Sequence, residues 1–264
     1  MLYATVRLVA LNGSTGTGFF FHFKFNNKYV PVIITNKHVI NNNENEQIDI
    51  YLHLKSGELP DDENINVSFK TDWHFHQDQD LCFCFVIPLF EEVKQNKHKE
   101  IYYTPITEEL IWDNFKLEGL SAIEDVVMVG YPNGLWDQKN NFPLFRKGIT
   151  ASHPAIDFND KNRGAVDIAC FPGSSGSPIF ILNEGNYQDK HGTHLGSNRL
   201  IFLGILFAGP TRTAEGELII ENIPTKQKIL PVTPLMINLG YYIKATELLT
   251  FRTIIEKIIS QPTS

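Results

Sequence analysis

Short runs of β-branched and aromatic residues, each bounded by Gly, Asn, Asp or Pro, recur along most of this chain. Within them apolar and polar positions alternate with the period of two expected of a strand that buries one face. The pattern predicts strands near Tyr3–Val9, Thr17–Phe25, Lys28–Thr35, Gln47–Leu54, Asn64–Lys70 and Leu81–Ile87. From roughly Glu91 to Ile123 the rhythm breaks. That stretch is charged at Lys94–Glu100 and predicts one helical piece, Thr107–Phe115, with Thr107 as N-cap and two acids in its first turn. Strands resume near Asp125–Tyr131, Leu144–Ser152, Ala165–Cys170, Pro178–Leu182, Leu200–Ala208 and Gly240–Lys244. In the last segment the period changes: Leu248, Leu249, Phe251, Ile254, Ile255, Ile258 and Ile259 recur at helical spacing after Thr246, which is predicted as the cap.

Two sets of six strands, a connector and a terminal helix predict an all-β chain built as two six-stranded antiparallel β-barrels with a C-terminal α-helix, not alternating βαβ units. The expected boundaries are 1–90 for the first barrel, 91–123 for the connector, 124–245 for the second barrel and 246–264 for the helix and tail. The polar stretches Asn41–Glu46, Asp137–Asn141, Glu184–Asn198 and Pro210–Lys228 then become surface loops.

Composition narrows the function classes. With 264 residues, 42% hydrophobic and 20% charged, the chain is globular in character. Its 23 basic and 30 acidic side chains give a formal charge of −7, which argues against gripping nucleic acid or an anionic membrane through a basic surface. Nothing approaches a run of about 18 apolar residues, and Met1–Ala10 alternates instead of forming a basic end followed by a hydrophobic block, so neither membrane span nor signal peptide is expected. Cys82 and Cys84 stand two apart, where a strand makes them same-face neighbours. With three cysteines in all, no disulfide framework is expected and a reducing compartment, the cytoplasm, is favoured.

The most informative run is Phe171-Pro172-Gly173-Ser174-Ser175-Gly176-Ser177-Pro178. A serine on a tight glycine turn can present its hydroxyl beside its own N–H and that of Gly173, which is what acyl transfer needs for nucleophile and oxyanion together. Read alone, the run is equally a Gly/Ser/Pro turn. A serine needs a base, and His38 stands where the apolar run Ile33–Thr35 turns; a base needs an orienting carboxylate, and Asp80 heads the apolar run Leu81–Val86. Singly, these would be a structural histidine and a strand-start aspartate.

Other chemistries fit less well. His74, His76, Asp78, Asp80, Cys82 and Cys84 alternate as metal-ligand types on one strand would, but ten residues of strand span roughly 33 Å, so only neighbours such as His74 and His76 could share an ion. The plainer reading is a hairpin entering the core, and no metal site is assigned. An α/β-hydrolase elbow would need Gly at position 177, where Ser stands, and more chain than lies between Ser175 and Asp189. Gly13–Gly18 lacks the Gly-Lys-Ser/Thr ending of a phosphate loop.

Six pieces, taken together, resemble one family. They are Gly16-Thr17-Gly18-Phe19, Ile34-Thr35-Asn36-Lys37-His38-Val39, Asp80-Leu81, Val129-Gly130-Tyr131-Pro132-Asn133-Gly134-Leu135, Gly148-Ile149-Thr150-Ala151-Ser152, and Asp167-Ile168-Ala169 continuing through Pro172–Pro178. In this order the chain resembles the trypsin-like serine peptidases of the chymotrypsin fold, and within them the disulfide-free HtrA/Deg type without a PDZ domain. The resemblance implies a serine endopeptidase with Ser175 as nucleophile, His38 as general base and acid, Asp80 as its orienting carboxylate, and the N–H groups of Gly173 and Ser175 as oxyanion hole. It also implies that Phe207, Ala208 and Gly209 pair with a bound peptide as an added strand, that Ala169 floors the primary specificity pocket, and that Gly209 and Gly240 wall it. An uncharged pocket of that kind favours a bulky apolar P1 residue. The substrate would be a polypeptide, with no cofactor and no metal. Ser174 replaces the aspartate that pairs with a freed N-terminus in digestive relatives, so control is expected from loop ordering, assembly or a regulatory protein partner. Phe171 and Ser177 also depart from the pattern, which leaves as the alternative a catalytically silent or conditionally active peptide-binding module.

Overall fold

The computed structural model describes residues 1–132, 135–159, 161–215, 232–236 and 238–260. Asn133 and Gly134 of the Gly-Tyr-Pro run, most of the Pro210–Leu239 insertion and the last four residues lie outside the described residues. In the N-terminal half the strands are β1 (Thr5–Ala10), β2 (Thr15–Phe25), β3 (Lys28–Thr35), β4 (Gln47–Ser56), β5 (Leu59–Lys70), β6 (His74–Phe75), β7 (Cys82–Phe85), β8 (Glu100–Tyr102) and β9 (Ile106–Thr107). The C-terminal half carries β10 (Asp125–Gly130), β11 (Leu144–Thr150), β12 (Arg163–Asp167), β13 (Pro178–Asn183), β14 (Asn186–Asp189), β15 (Gly192–Leu195), β16 (Arg199–Ala208), β17 (Thr211–Glu215), β18 (Val232–Met236) and β19 (Leu239–Lys244). Among the described residues the α-helices are α1 (Ile87–Lys97), α2 (Asn114–Glu118) and α3 (Phe251–Ile259). Among the described residues no helix is long and apolar enough to cross a membrane.

The second strand set closes into a six-stranded barrel in the order β10-β11-β12-β19-β16-β13, with β14–β15 and β17–β18 as separate two-stranded ribbons. The first set is one nine-stranded sheet, order β5-β4-β1-β2-β3-β7-β6, with β8 on β4 and β9 parallel to β2. The segment 91–123 thus adds two strands to this sheet.

Period-two alternation decides where the cores sit. Along β2, Phe19, Phe21 and Phe23 enter one core while Phe20 enters another; along β3, Val32 and Ile34 face the first and Ile33 the second. On β7 Phe83 joins the first core, Cys82 and Cys84 the second. The second core is internal to the N-terminal sheet. The first is shared: Phe180, Phe202, Ile205 and Ile243 of the barrel and Phe251 and Ile255 of α3 pack into it. Both faces of β2, β3 and β7 are therefore buried, and the loops at their ends are held between the two halves.

The helical expectations fail in three places. The predicted Thr107–Phe115 helix is a 3-10 turn, Glu108–Leu110, followed by α2, whose cap is Asp113 accepting the Lys116 N–H at 2.9 Å. Helix α1 lies where no element was expected; only Leu89 and Val93 bury a side, and the polar residues around them conceal the period. Thr246 caps nothing: Ala245–Thr250 is a 3-10 stretch, and α3 starts at Phe251.

Candidate active site

His38 sits in a 3-10 turn, Lys37–Ile40, directly after β3, and Asp80 precedes β7, the neighbour of β3. Strand pairing alone brings them together. The His38 ring Nδ1 lies 2.5 Å from Asp80 Oδ2, and the His38 main-chain N–H donates to Asp80 Oδ1 at 3.2 Å. Asn36 fixes the aspartate's backbone, its Nδ2 donating to the Asp80 carbonyl at 2.7 Å. Burial pushes the Asp80 carboxyl up, but the hydrogen bonds from the His38 ring and main chain outweigh it, so the carboxyl is held below its ordinary value. A carboxylate on Nδ1 directs the ring's other nitrogen, Nε2, to act as base.

Ser175 lies on the turn between β12 and β13, bracketed by Gly173 at φ +86° and Gly176 at φ +84°. The turn is tied to both halves. The Ser175 carbonyl accepts the Thr17 N–H at 2.9 Å, and Gly176 N–H donates to Leu206 O at 2.9 Å. A Cβ at Gly176 would lie 1.9 Å from the Thr17 carbonyl oxygen and 2.7 Å from Thr35 Oγ1, so only glycine lets the turn seat against β2 and the end of β3. Among the described residues the N–H groups of Gly173 and Ser175 donate to nothing, and the Ser175 hydroxyl has no hydrogen bond to His38.

The departures at 174 and 177 have physical roles. Ser174 Oγ accepts the Phe171 N–H at 3.4 Å and closes its own turn, which is capped further by Ser174 N–H on the Phe171 carbonyl at 3.0 Å. Ser177 Oγ is buried and donates to Thr17 Oγ1 at 3.2 Å. Thr17 Oγ1 also donates to the Gly173 carbonyl at 3.2 Å and accepts the Tyr131 N–H at 3.1 Å. One buried threonine hydroxyl thus links β2, the strand end at Tyr131 and the serine turn, a role the Gly16-Thr17-Gly18 pattern marked only through its glycines.

Around the expected specificity pocket, Ala169 is placed just before the serine turn, and Phe207, Ala208 and Gly209 run along the end of β16. Gly240 borders protein: a Cβ there would lie 2.5 Å from Cys170 Sγ and 2.7 Å from Leu206 Cδ1. Burial pushes the Cys170 thiol up to about 11, which keeps this backing neutral. A charge that the sequence reading missed stands nearby. Arg146 of β11 donates to the Ala169 carbonyl and stacks its guanidinium 4.6 Å from the Phe171 ring centre. Only the pairing of β11 with β12 brings it there, and no motif contains it.

The alternating residues 74–84 do not share one strand: β6 and β7 form a hairpin, and positions 76–81 make its turn. His74 packs on Phe83 at 4.9 Å between ring centres, while His76 is buried and faces Glu247. Cys82, Cys84 and Cys170 are free thiols in the core.

With this geometry in view, the fold and the serine turn define the class of protein. Residues 16–187 match the family model of the trypsin-like peptidase domain, and the chain belongs to that family. No curated protein is matched. Among solved structures, the chain is similar to an HtrA-type protease with a decapeptide, at 13% identity and a TM-score of 0.47, covering 96% of this chain and 64% of that one. It is also similar to an inactivated protease paralogue of the scabies mite, at 13% identity and a TM-score of 0.45, covering 98% and 96%. The chain spans less than two thirds of the HtrA-type chain's length.

Proposed function

We propose that this trypsin-like peptidase is a serine endopeptidase acting through His38, Asp80 and Ser175. The observation that carries the reading is the 2.5 Å contact between His38 Nδ1 and Asp80 Oδ2, made by residues 42 positions apart. In the proposed reaction His38 Nε2 takes the Ser175 hydroxyl proton as Oγ attacks the substrate carbonyl carbon. The oxyanion is received by the two unengaged N–H groups of Gly173 and Ser175. The C–N bond then breaks as His38 returns the proton to the leaving amine, and water, deprotonated by the same ring, hydrolyses the acyl-enzyme.

The peptide would lie along Phe207, Ala208 and Gly209 as an added strand. Ala169 floors the P1 site, Gly209 walls it, and Gly240 with neutral Cys170 and Leu206 backs it. These surfaces favour a bulky apolar P1 side chain. Profiling on a peptide library tests this, and a preference for Asp or Glu at P1 would instead assign the pocket to Arg146.

The second reading is a peptide-binding module without turnover, favoured by the absence of a hydrogen bond between Ser175 and His38. A serine-directed fluorophosphonate separates the two. Labelling that disappears in Ser175→Ala supports the peptidase; wild-type protein that stays unlabelled while binding peptide supports the module. Activity should also fall in acid, where a protonated imidazole can no longer take the serine proton. A rate that is flat there would contradict a histidine base.

A further inference from the structure

His76 belongs to the alternation of ligand-type residues before β7, yet the proposed peptidase chemistry gives it no task. It is buried, 5% exposed. Its Nδ1 accepts two consecutive main-chain N–H groups, Asp78 at 3.1 Å and Gln79 at 3.0 Å, and its own N–H donates to the Leu81 carbonyl at 2.9 Å. The ring closes the turn that delivers Asp80, much as an Asn or Asp side chain closes a turn by capping the N–H two residues on. A nitrogen that accepts two N–H groups carries no proton, so the bonding assigns the neutral Nε2–H tautomer.

Nε2 in turn lies 3.3 Å from Glu247 Oε2, close but not aligned as a hydrogen bond. The ring meets Phe251 of α3 edge-on at 5.5 Å. The charged groups around it are Glu247 from the C-terminal segment, Lys37 from the turn that carries His38, and Asp78 from its own turn. Burial is the largest influence and keeps His76 below the ordinary imidazole value; Glu247 and Asp78 act against it and Lys37 with it. Gln79 extends the same turn to the barrel, its Nε2 on the Lys161 carbonyl at 3.3 Å and its Oε1 accepting from Arg163 at 3.4 Å.

We infer that His76 is a positioning residue: as a neutral imidazole it latches the Asp80 turn, couples it through Glu247 to the C-terminal segment, and releases it when Nδ1 takes a proton. Protonation converts the shared acceptor into a donor pointed at two N–H groups, so the latched turn and the imidazolium exclude each other. The effect on turnover rests on the peptidase reading; the latch itself does not.

The test uses the full chain with three substitutions and a readout independent of activity: the low-field proton of the His38–Asp80 bond by NMR, with amide exchange at Asp78 and Gln79. His76→Leu removes the acceptor and should speed exchange of both amides about tenfold, the size of one lost hydrogen bond. It should also weaken the low-field signal and lower kcat by a similar factor, with KM within about threefold of wild type. His76→Asn keeps an acceptor for the same N–H groups and should restore all of these while abolishing their loss in acid. Glu247→Gln should move that acid release to lower pH, and it provides the second arm if His76→Leu does not fold. Unchanged exchange and signal in His76→Leu, equal damage in His76→Asn, or an unmoved release in Glu247→Gln overturns the inference. Wild-type protein with the low-field proton and the acid release but no fluorophosphonate labelling overturns the peptidase reading and leaves the latch intact.

Discussion

Thr17 shows how much one side chain carries at the seam between the halves. Its hydroxyl serves the Gly173 carbonyl, the Tyr131 N–H and the Ser177 hydroxyl, all without solvent. Thr17→Val keeps the shape and strands those partners, so it should destabilise the protein by about 1–3 kcal/mol, whereas Thr17→Ser should retain most of the stability; urea unfolding measures both. Nearby, a Cβ on Gly130 would lie 2.0 Å from Ser177 Oγ. Gly130→Ala should therefore cost about 1–3 kcal/mol by overpacking, and Ser177→Gly in the same chain should recover part of it; additive losses in the double variant would refute the contact. At Asp80 stability is linked to protonation. A carboxyl held below its ordinary value contributes stability above that value and loses it as pH falls through the folded-state value. The stability gap between wild type and Asp80→Asn should thus be present at neutral pH and close in acid, and turnover of Asp80→Asn should drop by about four orders of magnitude because the ring loses its orienting anion.

At the scale of elements, what the sequence disclosed follows from how each element buries its side chains. The strands around the site were legible because β2, β3 and β7 alternate between two cores, so every position in Phe19–Phe21, Val32–Ile34 and Cys82–Cys84 is apolar. His38, Asp80 and Ser175 could be proposed as a set because each follows or precedes such a strand in a short, family-like motif. Helix α1 was not, since a helix that buries only Leu89 and Val93 leaves its period among charges. The start of α3 was misplaced for a related reason. Thr246 has cap chemistry, but Ala245 and Leu248 are buried in the shared core and draw the chain into a 3-10 turn first. Arg146 was invisible because its partner lies more than twenty positions away, and the alternation of residues 74–84 exposed His76 without marking the main-chain turn that it closes. The hidden helix is nonetheless structural: Leu89→Ala removes a fully buried side chain from the N-terminal core and should cost about 2–5 kcal/mol by thermal or urea unfolding.

Across the whole molecule, the two halves share one core, which bears on how the site can be regulated. Phe202 of the barrel meets Phe19 at 5.5 Å and Phe21 at 6.3 Å between ring centres, and Phe251 of α3 meets Phe83 at 4.9 Å, directly behind the strand that follows Asp80. If these contacts join the halves into one cooperative unit, a cut in the shared core weakens both together. Phe202→Ala should then lower stability by about 3–5 kcal/mol while unfolding stays a single transition, with amides of β3 and β10 exchanging faster to the same extent. Two separated transitions, with β3 unaffected, would mean that the halves fold independently and touch only at the serine turn. The distinction matters for the site because His38 and Asp80 come from one half and the Ser175 turn from the other. In a cooperative molecule their alignment is maintained by Phe19, Phe83, Phe202 and Phe251, so anything that moves α3 acts on Asp80 and the Ser175 turn at once.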